Sequence, residues 1–281
     1  MDSSYISHFI EDSWWSIFPT VQETERPDKV AASVAEGRIA ILVDNSPFAL
    51  IIPANINMFM VSPEDAYMRW SAGSFIRLIR FGGNFIAILL PALYIALTSF
   101  HPEMLPTALA LSIASTRENV PFPAFVEAFL MELSLELLRE AGARLPGPLN
   151  QTIGIVGGLI VGTAAVQANI VSPIMVIVVA LTAIAAFAVP TYSFGAAIRQ
   201  IRFLFMILAA FLGIYGIMLG LLYLIGHLAA LKSFGMGYLE PFSPLSLRDL
   251  KDVMIRFPLQ SMHKRPQSLR PKDVKRLRNK D

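Results

Sequence analysis

The sequence predicts a mainly α, polytopic helical membrane protein with a short N-terminal α/β piece of a cytoplasmic domain. Three observations carry that prediction. Residues 145–198 run for 54 positions without an Asp, Glu, Lys or Arg, where a soluble domain of average composition would carry about a dozen charges. Residues 81–100 and 203–226 are also charge-free, over 20 and 24 positions, and one helical crossing of a bilayer takes about 20 apolar residues. The 281 residues are 54% hydrophobic and 16% charged, against roughly 25% charged in soluble domains.

The chain divides into residues 1–70, the end of a soluble α/β domain; residues 71–232, a transmembrane helical domain; and residues 233–281, an amphipathic and polybasic cytoplasmic tail. The opening residues carry Asp2, Glu11 and Asp12 and lack the apolar core of a cleavable signal peptide. Glu25-Arg26-Pro27-Asp28 sets a turn and a helix start, because proline suits the first helical turn. Val30, Ala31, Val34 and Ala35 supply a 3–4 apolar spacing, and Gly37 ends the helix. Apolar residues 38–43, the turn residues Asp44-Asn45-Ser46 and apolar residues 47–52 read as a hairpin. One helix and one hairpin cannot bury a core alone.

Ser62-Pro63-Glu64-Asp65 predicts a further helix, running through Tyr67, Arg69 and Trp70 towards Arg77 and Arg80. Trp70 and the three arginines mark a cytoplasmic interface, and Pro91 is expected to kink the span that follows. Residues 101–148 contain a 13-residue apolar piece, 104–116, too short to cross, and a longer one carrying Glu127, Glu132 and Glu136. They read as a re-entrant hairpin or interfacial helices, with a true crossing by the glutamate helix as the rival. The charge-free run 145–198 divides near Gln167-Ala168-Asn169 into two helices. About four spans result, with both ends in the cytoplasm. That topology leaves Arg199 and Arg202 on the far side, whereas a crossing glutamate helix would bring them inside and send the tail out.

Gly154, Gly158 and Gly162 recur four apart on one helical face, and Gly216 and Gly220 repeat the spacing in the last span. Small residues so spaced let membrane helices approach closely, within one subunit or between subunits. Leu247, Leu250, Met254 and Phe257 predict a short amphipathic helix after the last span. Beyond it, eight Lys and Arg from Lys264 onward stand against two Asp. Without interleaved aromatics, and after a membrane helix, that run points to anionic lipid rather than nucleic acid.

Glu132 and Glu136 lie one helical turn apart and share a face, with Arg139 beside Glu136 as a possible ion-pair partner and Glu140 one turn further on the same side; Glu127 points the other way. Such a stripe is either part of a cation path or the solvated face of an interfacial helix. Cysteine is absent, which removes disulfides, thiolate metal sites and cysteine nucleophiles. His101-Pro102-Glu103 is too small a set for a metal site. No phosphate-binding glycine loop, metalloprotease helix or nucleophile elbow is present, so neither an enzymatic activity nor a cofactor is expected.

Several runs resemble the A-subunit family of spore germination receptors, the GerA type, which is related to the stage V AF-type sporulation proteins. They are Thr24-Glu25-Arg26-Pro27-Asp28, residues 36–44 (EGRIAILVD), Ser62-Pro63-Glu64-Asp65, residues 89–97 (LLPALYIAL) and residues 101–106 (HPEMLP). Pro121-Phe122-Pro123, Met131-Glu132-Leu133, Leu145-Pro146-Gly147-Pro148 and Tyr215-Gly216-Ile217-Met218 agree, so the likeness runs from about Phe18 to Pro258. The resemblance implies a membrane subunit of a nutrient-sensing receptor in the inner spore membrane, partnered by a transporter-like B subunit and a lipoprotein C subunit. It also implies self-association that forms or gates a cation path. Family members carry a soluble N-terminal domain about twice as long as the residues before the first span here, so this chain reads as a truncated or split product. The rival classes are a secondary transporter, which the lack of a visible internal repeat disfavours, and a structural scaffold subunit.

Overall fold

The computed structural model describes residues 2–144, 157–158, 160–246, 249–258, 265–266, 268–269, 271 and 273. It is mostly helical, with a small sheet and two helices long and apolar enough to cross a membrane. The chain forms two compact units. The first comprises Met1–Asn84, Phe187–Ala197 and Tyr223–Asp281, and the second Phe85–Ala186 and Ile198–Leu222.

The first unit opens with α1, Ser3–Ile10, whose first N–H is accepted by the Asp2 carboxylate at 2.7 Å. After β1, Gln22–Thr24, comes α2, Pro27–Glu36, with proline in its first turn and Gly37 closing it in the left-handed region at φ 110°. Strands β2, Ile39–Leu42, and β3, Ala49–Ile52, form the hairpin that the sequence predicts, turning at Asn45 (φ 62°). The sequence reading missed β1, which pairs antiparallel with β3 and gives the order β1-β3-β2. Central β3 is buried along its whole length; Val21, Leu50 and Ile52 form a core that Ile6, Ile10 and Ile41 cover.

A second core in this unit draws on residues distant in sequence. Phe18, Phe59, Phe194 and Tyr238 are all buried, with Phe59 stacked on Phe194 at 5.8 Å between ring centroids. Lys232–Ser233 and Met236–Gly237 pair as a small two-stranded ribbon, and the backbone N–H of Ile56 donates to the Tyr238 carbonyl at 3.0 Å. Ser233 links the N–H of Ala54 (2.9 Å) to the carbonyl of Thr20 (2.7 Å). This segment supplies apolar surface that a lone helix and hairpin lack.

After the short α3, Ile56–Met60, the expected helix from Ser62 stops after one turn. Helix α4 covers only Glu64–Tyr67, and Met68 is extended before α5, Trp70–Ser99, begins. The reason is a distant cation. Arg256 donates to the carbonyls of Ala66 and Met68 at 2.9 Å, and to that of Asp65. Those carbonyls would otherwise point to the next turn of a continuous helix. The expected amphipathic helix over 247–257 is also replaced. Asp249–Asp252 is a single 3₁₀ turn, Val253 and Arg256 are buried, and Met254 and Phe257 are exposed. Leu247 lies outside the described residues.

In the second unit α5 continues unbroken through Pro91. Two connecting helices follow: α6, Thr107–Arg117, too short to cross, and α7, Ala124–Ala143, which carries Glu127, Glu132, Glu136 and Glu140. Residues 157–158 and 160–167 are helical. Helix α8, Pro173–Phe187, has 15 residues and so a length of about 22 Å, short of a hydrocarbon core. Helix α9, Tyr192–Ala230, contains the apolar run 203–226, yet Gly213 breaks it with φ 59° and ψ −137°. A Cβ at Gly216 would lie 2.2 Å from the Leu208 carbonyl oxygen, and one at Gly220 would lie 2.9 Å from both Leu208 and Phe205. The chain therefore turns back on itself at Gly213, and the run 203–226 is two packed arms rather than one straight crossing.

Candidate functional site

Three of the four glutamates of α7, Glu127, Glu132 and Glu136, are the natural starting point, because a buried carboxylate demands a partner. Each has one. Glu127, fully buried, accepts from Arg117 at 3.0 Å through one oxygen and from the Ser172 backbone N–H at 2.9 Å through the other. Arg117 ends α6 and Ser172 precedes α8, so one carboxylate ties together three segments. Glu132, 2% exposed, accepts from Arg202 of α9 at 2.5 Å. Glu136 is partly exposed and bridges Arg139, three residues on, and Arg199 of α9, each at 3.0 Å.

The result is a ladder: carboxylates one turn apart on α7 face arginines three apart on α9, so both pairs fall on facing stripes. The sequence places Glu132 and Glu136 on one face and pairs Glu136 with Arg139. It treats Arg199 and Arg202 only as a problem for topology. Their spacing, matched to that of the glutamates inside an apolar stretch, was the available signal. Two atoms of the inner pair, Glu132 Oε1 and Arg202 Nη2, are buried without a hydrogen-bond partner. Paired but incompletely satisfied charges in an apolar surround are the kind of site that holds water.

Arg202 does a second job. A proline at position 91 has no N–H to offer the carbonyl four residues earlier, which is that of Ala87. Arg202 Nε donates to that Ala87 oxygen at 2.7 Å. The side chain that neutralises Glu132 thus also satisfies the backbone group that Pro91 frees, and α5 stays helical through the proline.

The glycines divide. Gly216 and Gly220 sit at the close contact of the two α9 arms. Gly162 leaves 3.4 Å between a Cβ and Val176, while Gly158 faces open space. Gly154 lies outside the described residues. A close approach that spacing did not single out is at Gly157, where a Cβ would come within 2.7 Å of Leu138. Among the described residues no group of three His, Asp or Glu side chains could hold a metal ion.

A family model described as Bacillus/Clostridium GerA spore germination protein matches residues 1–268. The chain belongs to the GerA family. It is 51% identical over 277 residues to spore germination protein B1 of Bacillus subtilis strain 168, covering 99% of this chain and 57% of that protein. Spore germination protein GerLA of Bacillus cereus is 48% identical over 97% of the chain and 56% of its own length. The uncharacterized membrane protein YfkQ of Bacillus subtilis strain 168 is 48% identical over 95% of the chain and 52% of its own length. The chain thus spans little more than half the length of these GerA-type relatives. No solved structure matches.

Proposed function

We propose that this chain is the membrane part of a GerA-type subunit in a nutrient-germinant receptor, acting without catalysis to trigger endospore germination. In this reading it sits as a multi-pass protein in the inner spore membrane with transporter-like B and lipoprotein C subunits. It self-associates there to form or gate a cation path. Support comes from the match over residues 1–268 and from identities near one half to proteins named for spore germination. The observation that carries the mechanism is the ladder of Glu132 and Glu136 against Arg202 and Arg199. Arginine in contact neutralises a carboxylate, so a path lined by these groups is closed to cations while the pairs hold. Separating α7 from α9 would expose the carboxylates, and gating then amounts to breaking two ion pairs.

Glu136, already partly exposed, is the cleaner probe. Spores carrying Glu136→Gln should assemble receptor at the normal level and release potassium at least several-fold more slowly after nutrient addition. Unchanged release at equal receptor level removes the ladder from the path. That result would favour a second reading, a scaffold subunit holding B and C, which the full pairing of all three glutamates also suits.

A further inference from the structure

In the first unit, α2, residues 55–67 and residues from Pro241 and Asp249 to Arg256, with Pro266 and Ser268, enclose a cavity of about 300 Å³. Four basic side chains line it: Lys29, Arg38, Arg77 and Arg256. Two are fully engaged. Arg77 pairs with Asp65 at 3.3 Å and Asp252 at 3.0 Å, and Arg256 caps α4 through three carbonyls. The other two are not. Lys29 reaches only the Met58 carbonyl, at 3.4 Å, and Arg38 only the Pro53 carbonyl and Asn55 Oδ1. Among the described residues neither forms an ion pair, although Arg38 is 8% exposed.

Among the described residues the acids on the same wall form no contact ion pair with Lys29 or Arg38. Asp28 is held by Arg26 and Tyr67, and Asp249 accepts the Ser268 backbone N–H. Glu36 acts on Arg38 through its field, without an ion pair between them. Burial, with the nearby charge of Arg26, pushes the Lys29 ammonium down to about 8, and the field of Asp28 offsets only part of that. One more group waits: Oδ1 of Asn57, a lining residue, is buried and accepts no hydrogen bond among the described residues. Met58, Val61 and Val253 supply apolar wall between these polar points.

We infer that this cavity binds a small hydroxylated organic anion, its carboxylate or phosphate head between Lys29 and Arg38 and its hydroxyl donating to Asn57 Oδ1. A buried or half-buried cation with no carboxylate in contact is costly, and a bound anion of this size removes that cost for two cations at once. The site is independent of the ladder on α7 and α9, since every lining residue belongs to the first unit.

Thermal unfolding of the full chain in lipid nanodiscs tests this, with malate as the carboxylate probe, glycerol 3-phosphate as the phosphate probe and glycerol as the neutral control, all at one ionic strength. At least one anion should raise Tm by about 5 °C at hundredfold excess over its dissociation constant, and glycerol should not. The anion that acts identifies the head group. Lys29→Met and Arg38→Gln should each abolish the shift, while Lys232→Gln, on the exposed ribbon, should keep it. Without ligand, Lys29→Met should unfold no lower than wild type, because it removes an uncompensated ammonium and keeps the stem. No shift with either anion, a shift that survives in both cavity variants, or a lower unliganded Tm for Lys29→Met would each overturn the inference.

Discussion

At the scale of single residues, two carboxylates, Glu136 and Asp65, each hold two arginines. Asp65 is the case outside the apolar helices. Buried at 1% exposure, it takes both Nη atoms of Arg80 at 2.8 and 3.0 Å and Nε of Arg77 at 3.3 Å. Burial by itself would raise its pKa; the Arg80 hydrogen bonds and the charges of Arg80 and Arg77 outweigh that and hold it below the ordinary value. A depressed carboxyl stabilises the fold above its ordinary value near about 4, and that contribution is lost as pH falls through the lower folded value. Asp65→Asn should cost about 3–5 kcal/mol at neutral pH by stranding the buried Arg80, with Arg77 left to Asp252 alone, and should flatten the loss of Tm below about pH 4. Denaturation followed from pH 2 to 7 would read both effects. Arg202 gives a sharper test. If it satisfies the carbonyl that Pro91 frees, then Pro91→Ala, which restores the N–H of that turn, should lessen the penalty of Arg202→Gln. The expected coupling is about 1 kcal/mol, measured by a double-mutant cycle in detergent.

At the scale of elements, local chemistry was legible and long-range pairing was not. Pro27 and Gly37 bracket α2, and Asn45 turns the β2–β3 hairpin, because those signals sit inside the elements they control. Strand β1 is three residues, Gln22–Thr24, with no apolar alternation to betray it; its pairing with β3 crosses the whole of α2. The stop after Tyr67 depends on Arg256, 188 to 191 positions away from the carbonyls it caps. The turn at Gly213 was hidden for a different reason. One glycine in an apolar run looks like any other until its φ is known, and here φ is 59° with Phe100 only 3.0 Å from where a Cβ would stand. Gly213→Ala should therefore cost about 1–3 kcal/mol in backbone strain, with steric conflict added. Gly158→Ala, facing open space, should be nearly neutral. Comparing their detergent-unfolding midpoints separates a turn glycine from one that merely lies in a helix. The site was legible by half: the carboxylate face could be read from one helix, whereas its arginines required knowing that α7 and α9 meet.

At the scale of the whole molecule, the medium is decisive. Helix α5 and the arms of α9 carry large exposed apolar side chains, among them Phe75, Phe85, Phe211, Leu222 and Tyr223. Water gives such surface no reason to stay monomeric and soluble, whereas hydrocarbon accommodates it without cost. The family assignment and the membrane description of a close relative agree with lipid as the surroundings. The absence of cysteine makes single-cysteine accessibility unusually clean, and positions beside Arg117, Arg144, Arg199 and Lys272 bracket the proposed crossings. The most direct measurement is partition of the expressed chain after an alkaline carbonate wash of the membranes, followed by labelling of those four cysteines from each side. The account predicts that the chain stays in the pellet, needs detergent for extraction, and labels at each position from one side only. A folded, monodisperse product in the wash supernatant, with all four positions labelled alike, would contradict it.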